Sequence, residues 1–578
     1  MKHLRVLNSF FFKYKWHFLG GLLFVSLSTI FGTYQGVIVR DGTNRILELM
    51  ASDGAADSSE FVGFGLTIIG LALCSGLFMF LMRQTIIVMS RHIEYDQKNQ
   101  IYQHYQELDA GFYKSNTTGD LMNRISEDVS RVRMYTGPAI MYLTNTVVTT
   151  ITILLFMLSV NVKLTLLVFL PLPILSYIIY KVSDLINRQS TKVQQELSLL
   201  TTQAQETFSA IRVIKAYARE RYFAGQMESR SSRYKETALK LATTEAMFAP
   251  VMGLMIGLSV LITVWYGGKL VIRNEIEPGN ITEFILYVFR LTWPFASLGW
   301  VTSLIQRAAA SQERINEFLD RKPAIRNNNH SIYDIRGDIE FSNVTFTYPE
   351  NNVTALQDIS FRIKSGETLG ITGQVGSGKS SILAVLTRLY DTNEGEILID
   401  GRNIREHNLH LYRRNCGVVP QDVFLFSDSI ANNISFGAPG NIPKEKVEEA
   451  ARLAGVHSNI MAFPDKFETL VGERGVTLSG GQKQRISIAR AIVGRPAMMY
   501  LDDCLSAVDV ETEELILGNL RGLMKNKTSI VISHRITSLR DASQIIYLEK
   551  GRIVEKGTHD ELVALEGRYA ALYKLQNN

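Results

Sequence analysis

Before residue 310 the chain carries six apolar stretches long enough to cross a bilayer, and they constrain its fold more than any motif does. They run roughly over residues 18–39, 61–82, 138–160, 164–180, 246–268 and 281–305, and the first five contain no Asp, Glu, Lys or Arg. A spanning helix needs about 20 apolar residues, so each stretch qualifies by length and composition. Asn161-Val162-Lys163 leaves the third and fourth stretches tightly paired, and residues 269–280 do the same for the fifth and sixth. Polar segments of about 55 and 65 residues separate the second stretch from the third and the fourth from the fifth, too long for structureless loops.

Charge sets an expected orientation. Lys2, Arg5, Lys13 and Lys15 form a basic leader without acids, whereas residues 41–60 carry Asp41, Glu48, Asp53, Asp57 and Glu60 against Arg45. Positive charge stays on the cytoplasmic side, so with six spans both termini are expected inside, in the cell (inner) membrane. The net charge of +5 follows from such loops and gives no reason to invoke nucleic acid. Cys74, Cys416 and Cys504 are too widely spaced for a disulfide framework or a zinc site. Cys504 reads as a small buried side chain.

Polar and apolar residues alternate at helical spacing through 91–109 and 192–217, so the long polar segments extend the spans as cytoplasmic helices. Their tips fall at Gly111–Asn116, ahead of Thr118-Gly119-Asp120, and at Phe208–Tyr217. The polar run 321–337 then reads as a linker, and short strand-like runs begin at Asp338. The expected division is a transmembrane domain over 1–320, a linker over 321–337 and an α/β domain over 338–578.

That α/β domain contains Gly373-Gln374-Val375-Gly376-Ser377-Gly378-Lys379-Ser380, a GxxxxGK[ST] phosphate-binding loop between a strand-like run and a helix opened by Ser381. Its glycines let backbone N–H groups wrap phosphates, the helix start favours the anion, Lys379 neutralises terminal phosphates and Ser380 is suited to Mg²⁺. The apolar run Ala497–Leu501 reads as a strand buried on both faces. It delivers Asp502 and Asp503 to the carboxyl edge of a parallel sheet, where α/β folds bind ligands. Gln421 and His534 close two further strand-like runs beside that edge; Gln421 is placed to reach metal and water, His534 to act in the chemistry. Ser479-Gly480-Gly481-Gln482 opens another helix and forms a second phosphate cradle. Two cradles for one nucleotide make sense if the second serves a neighbouring chain.

Together these motifs resemble the ATP-binding cassette (ABC) family, and six spans ahead of the cassette resemble its exporter branch. The resemblance implies a six-span helical domain with long intracellular helices followed by an α/β P-loop ATPase, with ATP and Mg²⁺ as ligands. It also implies that Tyr348 stacks on adenine, that Ser506–Asp509 signals across a dimer, and that Val471–Gly475 touches the intracellular helices. The two tips resemble the family's coupling segments.

One residue departs from the pattern. The acid after Asp502 is Asp503, where the family carries Glu to aim the attacking water, and the missing methylene costs about 1.5 Å of reach. A misplacement of about 1 Å can cost around 10² in rate. Among exporters of this type, such a substitution resembles the degenerate half of a heterodimer, with the intact Ser479–Gln482 completing the competent site of a partner that carries Glu. The alternative is a homodimer, exporter or lipid flippase, in which Asp503 works more slowly; an ATP-gated channel shares the scaffold. For the cargo, Arg290 inside the sixth stretch either attracts anionic groups or snorkels to headgroups. Tyr287, Phe289, Trp293 and Phe295, with Tyr34 and Gln35, suit small amphipathic aromatic compounds or simply face lipid.

Overall fold

The computed structural model describes residues 2–52, 58–472, 478–504, 516, 518–519 and 521–577. The expectations for Asp53, Asp57, Glu473, Arg474, Gly475 and Ser506–Asp509 fall outside these residues. The chain divides into two compact units, residues 1–105 with 119–321, and residues 106–118 with 322–578.

Among the described residues, six helices are long and apolar enough to cross a membrane: α1 Lys15–Ala51, α2 Ser59–Glu107, α3 Thr118–Val160, α4 Val162–Ser209, α5 Glu220–Ile272 and α6 Pro278–Leu319. Each contains one of the six apolar stretches. They outrun those stretches because helical spacing continues into the polar flanks. With 49 residues, α2 reaches about 75 Å at the helical rise, against about 30 Å of hydrocarbon. The tight turn before α4 is built by Asn161, whose Oδ1 accepts a hydrogen bond from Leu164 N at 2.9 Å. At the start of α6, Pro278 follows a capping box between Glu277 and Asn280, the arrangement that satisfies orphan N–H groups.

The apolar side chains sort into two sets. Ile153, Met157, Leu164, Val168, Leu270, Phe284, Val288 and Leu291 bury one another between α3, α4, α5 and α6. Leu66, Leu73, Leu155, Leu166 and Trp265 point outward and are more than half exposed, as lipid-facing residues must be. The residues proposed to surround a cargo divide between these sets. Tyr287 is buried in the helix packing, donating its hydroxyl hydrogen to Glu283 Oε1 at 2.9 Å; Phe289, Trp293 and Tyr34 are exposed. Arg290 donates from Nη1 to the Gly32 carbonyl of α1 at 2.8 Å. A Cβ at residue 32 would stand 1.9 Å from Arg290 Nη2, so this approach of side chain to backbone needs a glycine. Here Arg290 joins α1 to α6.

Among its described residues the second unit holds two sheets. A four-stranded antiparallel sheet has the order β2-β1-β4-β5, formed by β1 Ile339–Tyr348, β2 Val353–Ile363, β4 Glu394–Ile399 and β5 Arg402–Asn403. A six-stranded sheet has the order β10-β9-β3-β8-β7-β6. Its strands are β3 Thr368–Gly373, β6 Cys416–Val419, β7 Met498–Asp502, β8 Thr528–Ile532, β9 Gln544–Glu549 and β10 Arg552–Gly557. Every residue of β7 and β8 is buried, because both faces are covered. On one face Met498, Tyr500, Ile530 and Ile532 pack with Phe341 and Phe361 of the smaller sheet. On the other, Met499, Leu501 and Val531 meet Ile486, Ile488 and Ile492.

Residues 106–118 complete this unit. Asp109 caps the short helix Ala110–Ser115 by accepting Phe112 N at 3.1 Å, and its second oxygen accepts Ala324 N at 3.1 Å. Phe112 is buried beneath it.

Candidate nucleotide site

Parallel pairing brings the sequence motifs to one edge. In register, Ile371 of β3 lies beside Ile532 of β8, Asp502 of β7 beside the same Ile532, and Val419 of β6 beside Leu501. The carboxyl ends of β3, β8, β7 and β6 therefore lie side by side. Gly373 ends β3 and Asp502 ends β7. Gln421 and His534 do not terminate strands: each lies two residues beyond one, in the following loop, with Gln421 exposed and His534 half-buried. One strand stops because Pro420 has no N–H to give its ladder; Ser533 N–H still donates to Ile371 O at 3.1 Å, carrying the β3–β8 pairing one residue past Ile532.

The loop after β3 has the shape a phosphate needs. Gly373, Gly376 and Gly378 take φ values of +145°, +79° and +99°, where other residues are strained. A Cβ on Gly378 would lie 2.3 Å from Ala355 O, whereas nothing stands within 4 Å of one on Gly376. The loop is thus packed against the fold on one side and open on the other, with Gln374 and Val375 exposed at its crest. It feeds α7, Lys379–Leu386, which begins at the lysine, two residues ahead of Ser381. Ser377 Oγ and Thr372 Oγ1 are buried without a hydrogen-bond partner among the described residues. Orphaned hydroxyls beside an open, glycine-built cradle fit a ligand rich in acceptor oxygens. The motif contains Ser377; nothing in its spacing pointed to Thr372.

Lys379 Nζ donates to Gly373 O at 2.9 Å and Gln374 O at 2.8 Å, closing the loop on itself. Burial lowers this ammonium from its ordinary value, against the opposing charges of Asp502 and Asp503. Burial likewise pushes the Asp502 carboxyl above its usual range, against a hydrogen bond from Ser380 and the charges of Lys379 and His534. Ser380 and Asp502 thus lie close together, two oxygen groups suited to a hard divalent cation. Among the described residues, no group of three His, Cys, Asp or Glu side chains could hold a metal unaided. Mg²⁺ here would depend on Ser380, Asp502 and Gln421 together with phosphate oxygens.

Asp503 follows with φ of +44°, a left-handed conformation in which Asp is enriched over bulkier residues. Its N–H donates to Ile532 O at 2.9 Å, pinning the strained residue to the neighbouring strand.

The second cradle differs. Ser479 caps α8, Gly480–Val493: its Oγ accepts Gln482 N at 3.3 Å while Gln482 Oε1 accepts Ser479 N at 3.0 Å. Both glycines, Gly480 and Gly481, lie in its first turn. Ser479 and Gly480 are exposed.

Tyr348 closes β1 near the loop, its hydroxyl sharing a hydrogen bond with Ser381 Oγ at 3.1 Å. Phe346 and Tyr390 pack steeply inclined to its ring at 4.7 and 5.3 Å.

Comparison with known proteins agrees with this architecture. Residues 22–295 match the ABC transporter transmembrane region and residues 356–506 match the ABC transporter family. The chain is 36% identical over 484 residues, 83% of each sequence, to an uncharacterized ABC transporter ATP-binding protein, YknU, of Bacillus subtilis. It is 34% identical to the multidrug resistance-like ATP-binding protein MdlA of Escherichia coli, covering 88% of this chain and 86% of that one. It is 31% identical to the ATP-dependent lipid A-core flippase of Photobacterium profundum, covering 88% and 87%. A solved bacterial Atm1-family ABC exporter with ATP bound superposes with a TM-score of 0.79 at 25% identity, over 98% of both chains. The chain belongs to the ABC transporter family. It is a multi-pass membrane protein with the exporter fold, an ATPase coupled to transport.

Proposed function

We propose that this chain is one half of a heterodimeric exporter that moves amphipathic or hydrophobic compounds out of the cell, in the inner membrane, with its termini and ATPase domain cytoplasmic. Its own site binds Mg-ATP through Tyr348, the loop Gly373–Ser381 and the metal ligands Ser380, Asp502 and Gln421. Asp503, with His534 and Gln421, forms a water-activating set that works slowly. Ser479–Gln482 serves the competent site of a partner half-transporter whose corresponding acid is Glu.

Asp503 carries this reading. It is one methylene short, and its N–H is tied to Ile532 O. General-base assistance is worth about 10²–10⁴ in rate, so a shortfall here leaves nucleotide binding intact and slows its cleavage. Two bound ATPs then hold the ATPase domains closed against an outward-open cavity, and cleavage at the partner's site resets the pair. A slow site prolongs the closed state only as far as ATP binds that state better. The multidrug resistance-like relative supports small amphipathic cargo.

A second reading is favoured by the lipid A-core flippase relative: a homodimer that moves lipid, with Asp503 sufficient as base. Isolation of the tagged chain from its native membranes separates the two. The first reading expects a second, different half-transporter in equal amount, and efflux of dyes rather than labelled lipids after reconstitution. A self-paired assembly that flips labelled lipid would establish the second.

A further inference from the structure

The first cytoplasmic tip places a cation on the nucleotide site's aromatic ring. Lys114 Nζ lies 4.0 Å from the centroid of the Tyr348 ring, well inside cation–π range. The same ring meets Tyr390, whose hydroxyl donates to Glu350 Oε1 at 2.9 Å. The other carboxylate oxygen, Glu350 Oε2, is buried with no hydrogen-bond partner among the described residues. Glu350 also borders the tip: a Cβ at Gly111 would lie 3.0 Å from Glu350 Oε1 and 3.5 Å from the Tyr390 ring. One contiguous cluster therefore offers Lys114 two stations, an aromatic face that it occupies and a carboxylate oxygen that lacks a donor.

We infer that Lys114 reports nucleotide occupancy, holding the Tyr348 face in the absence of base and passing to Glu350 when adenine takes that face. This rests on the reading that Tyr348 stacks on adenine. Base and ammonium seek the same π-cloud, so they compete. The displaced ammonium finds an unpaired carboxylate oxygen, which offsets the loss. Lys114 is then a positioning residue: it does not touch the reacting phosphates, but ties their arrival to the segment that continues directly into α3.

The test uses the full-length protein in its native assembly, in a Tyr348→Trp background. Quenching of the introduced indole by nucleotide, measured against the parent protein, reports stacking at this site alone. Lys114→Met, which keeps an unbranched side chain, should tighten ATP binding about threefold to tenfold. Inorganic tripolyphosphate, which has no base, should compete for the loop equally well with and without Lys114. Glu350→Gln keeps an acceptor for Tyr390 but removes the charge, and should weaken ATP binding about threefold. In the double variant the Glu350 effect should vanish. An ATP midpoint unmoved or weakened by Lys114→Met, an equal shift for tripolyphosphate, or a Glu350 effect that survives without Lys114 would each overturn the inference while leaving base stacking intact. Absence of quenching by ATP in either background would overturn the stacking reading and this inference with it.

Discussion

The two phosphate cradles of this chain are built from the same elements, glycines and a serine at a helix start, and they have opposite surroundings. The loop before α7 is folded against the sheet, with Lys379 buried and hydrogen-bonded to its own loop carbonyls. The N-terminus of α8 is exposed, and its serine and glutamine cap each other. The first has Ser380, Asp502 and Asp503 at the edge of the six-stranded sheet, with Tyr348 of the smaller sheet bonded to Ser381. The second has none of these on its own helix. A cradle so bare suits a nucleotide supplied by another chain, whereas the P-loop cradle lies beside the residues proposed to hold metal and water.

The largest effect that would sharpen this contrast is at α8. Gly481→Asp puts a carboxylate where phosphate should sit, and should lower turnover of the assembled transporter about 10²-fold or more, with nucleotide binding at this chain's own loop unchanged. Steady-state ATPase and filter binding check both parts. Next, Lys379→Ala removes a charge from the first cradle and should weaken nucleotide binding at this site about 10- to 100-fold, read by equilibrium titration. Equal sensitivity of both cradles in the same assay would break the comparison.

How much of this was legible in the sequence depends on the interaction involved. The six spans were plain because a bilayer imposes length and apolarity within one contiguous stretch. The P-loop was plain because its geometry is local. Lys114 and Tyr348 lie 234 positions apart, and their meeting depends on residues 106–118 packing with the second unit, which no periodicity encodes. Arg290 was visible as an intramembrane charge, but its partner is a backbone carbonyl at Gly32, and a carbonyl leaves no signature in sequence. Gln421 and His534 close apolar runs yet lie two residues beyond the strands, since apolar runs do not register where a ladder ends.

A smaller effect concerns Asp502. Because burial raises its pKa, the group favours the folded, ligand-free state below its unfolded pKa, and this contribution is lost as pH rises through the folded value. Asp502→Asn should therefore stabilise the nucleotide-free protein at neutral pH by on the order of 1 kcal/mol while removing Mg²⁺-dependent binding. Thermal unfolding with and without Mg-ATP reads both signs. A fall in stability without ligand would show that the carboxylate is held by more than Ser380 and Lys379.

The proposed heterodimer turns on Asp503 stopping short of the water it should activate. ATP hydrolysis by the purified full-length chain, with and without Asp503→Glu, measures this directly. Slow turnover that rises about 10²-fold on restoring the methylene is the predicted result. Rapid turnover by the unaltered chain, with nothing gained from Glu, would contradict it.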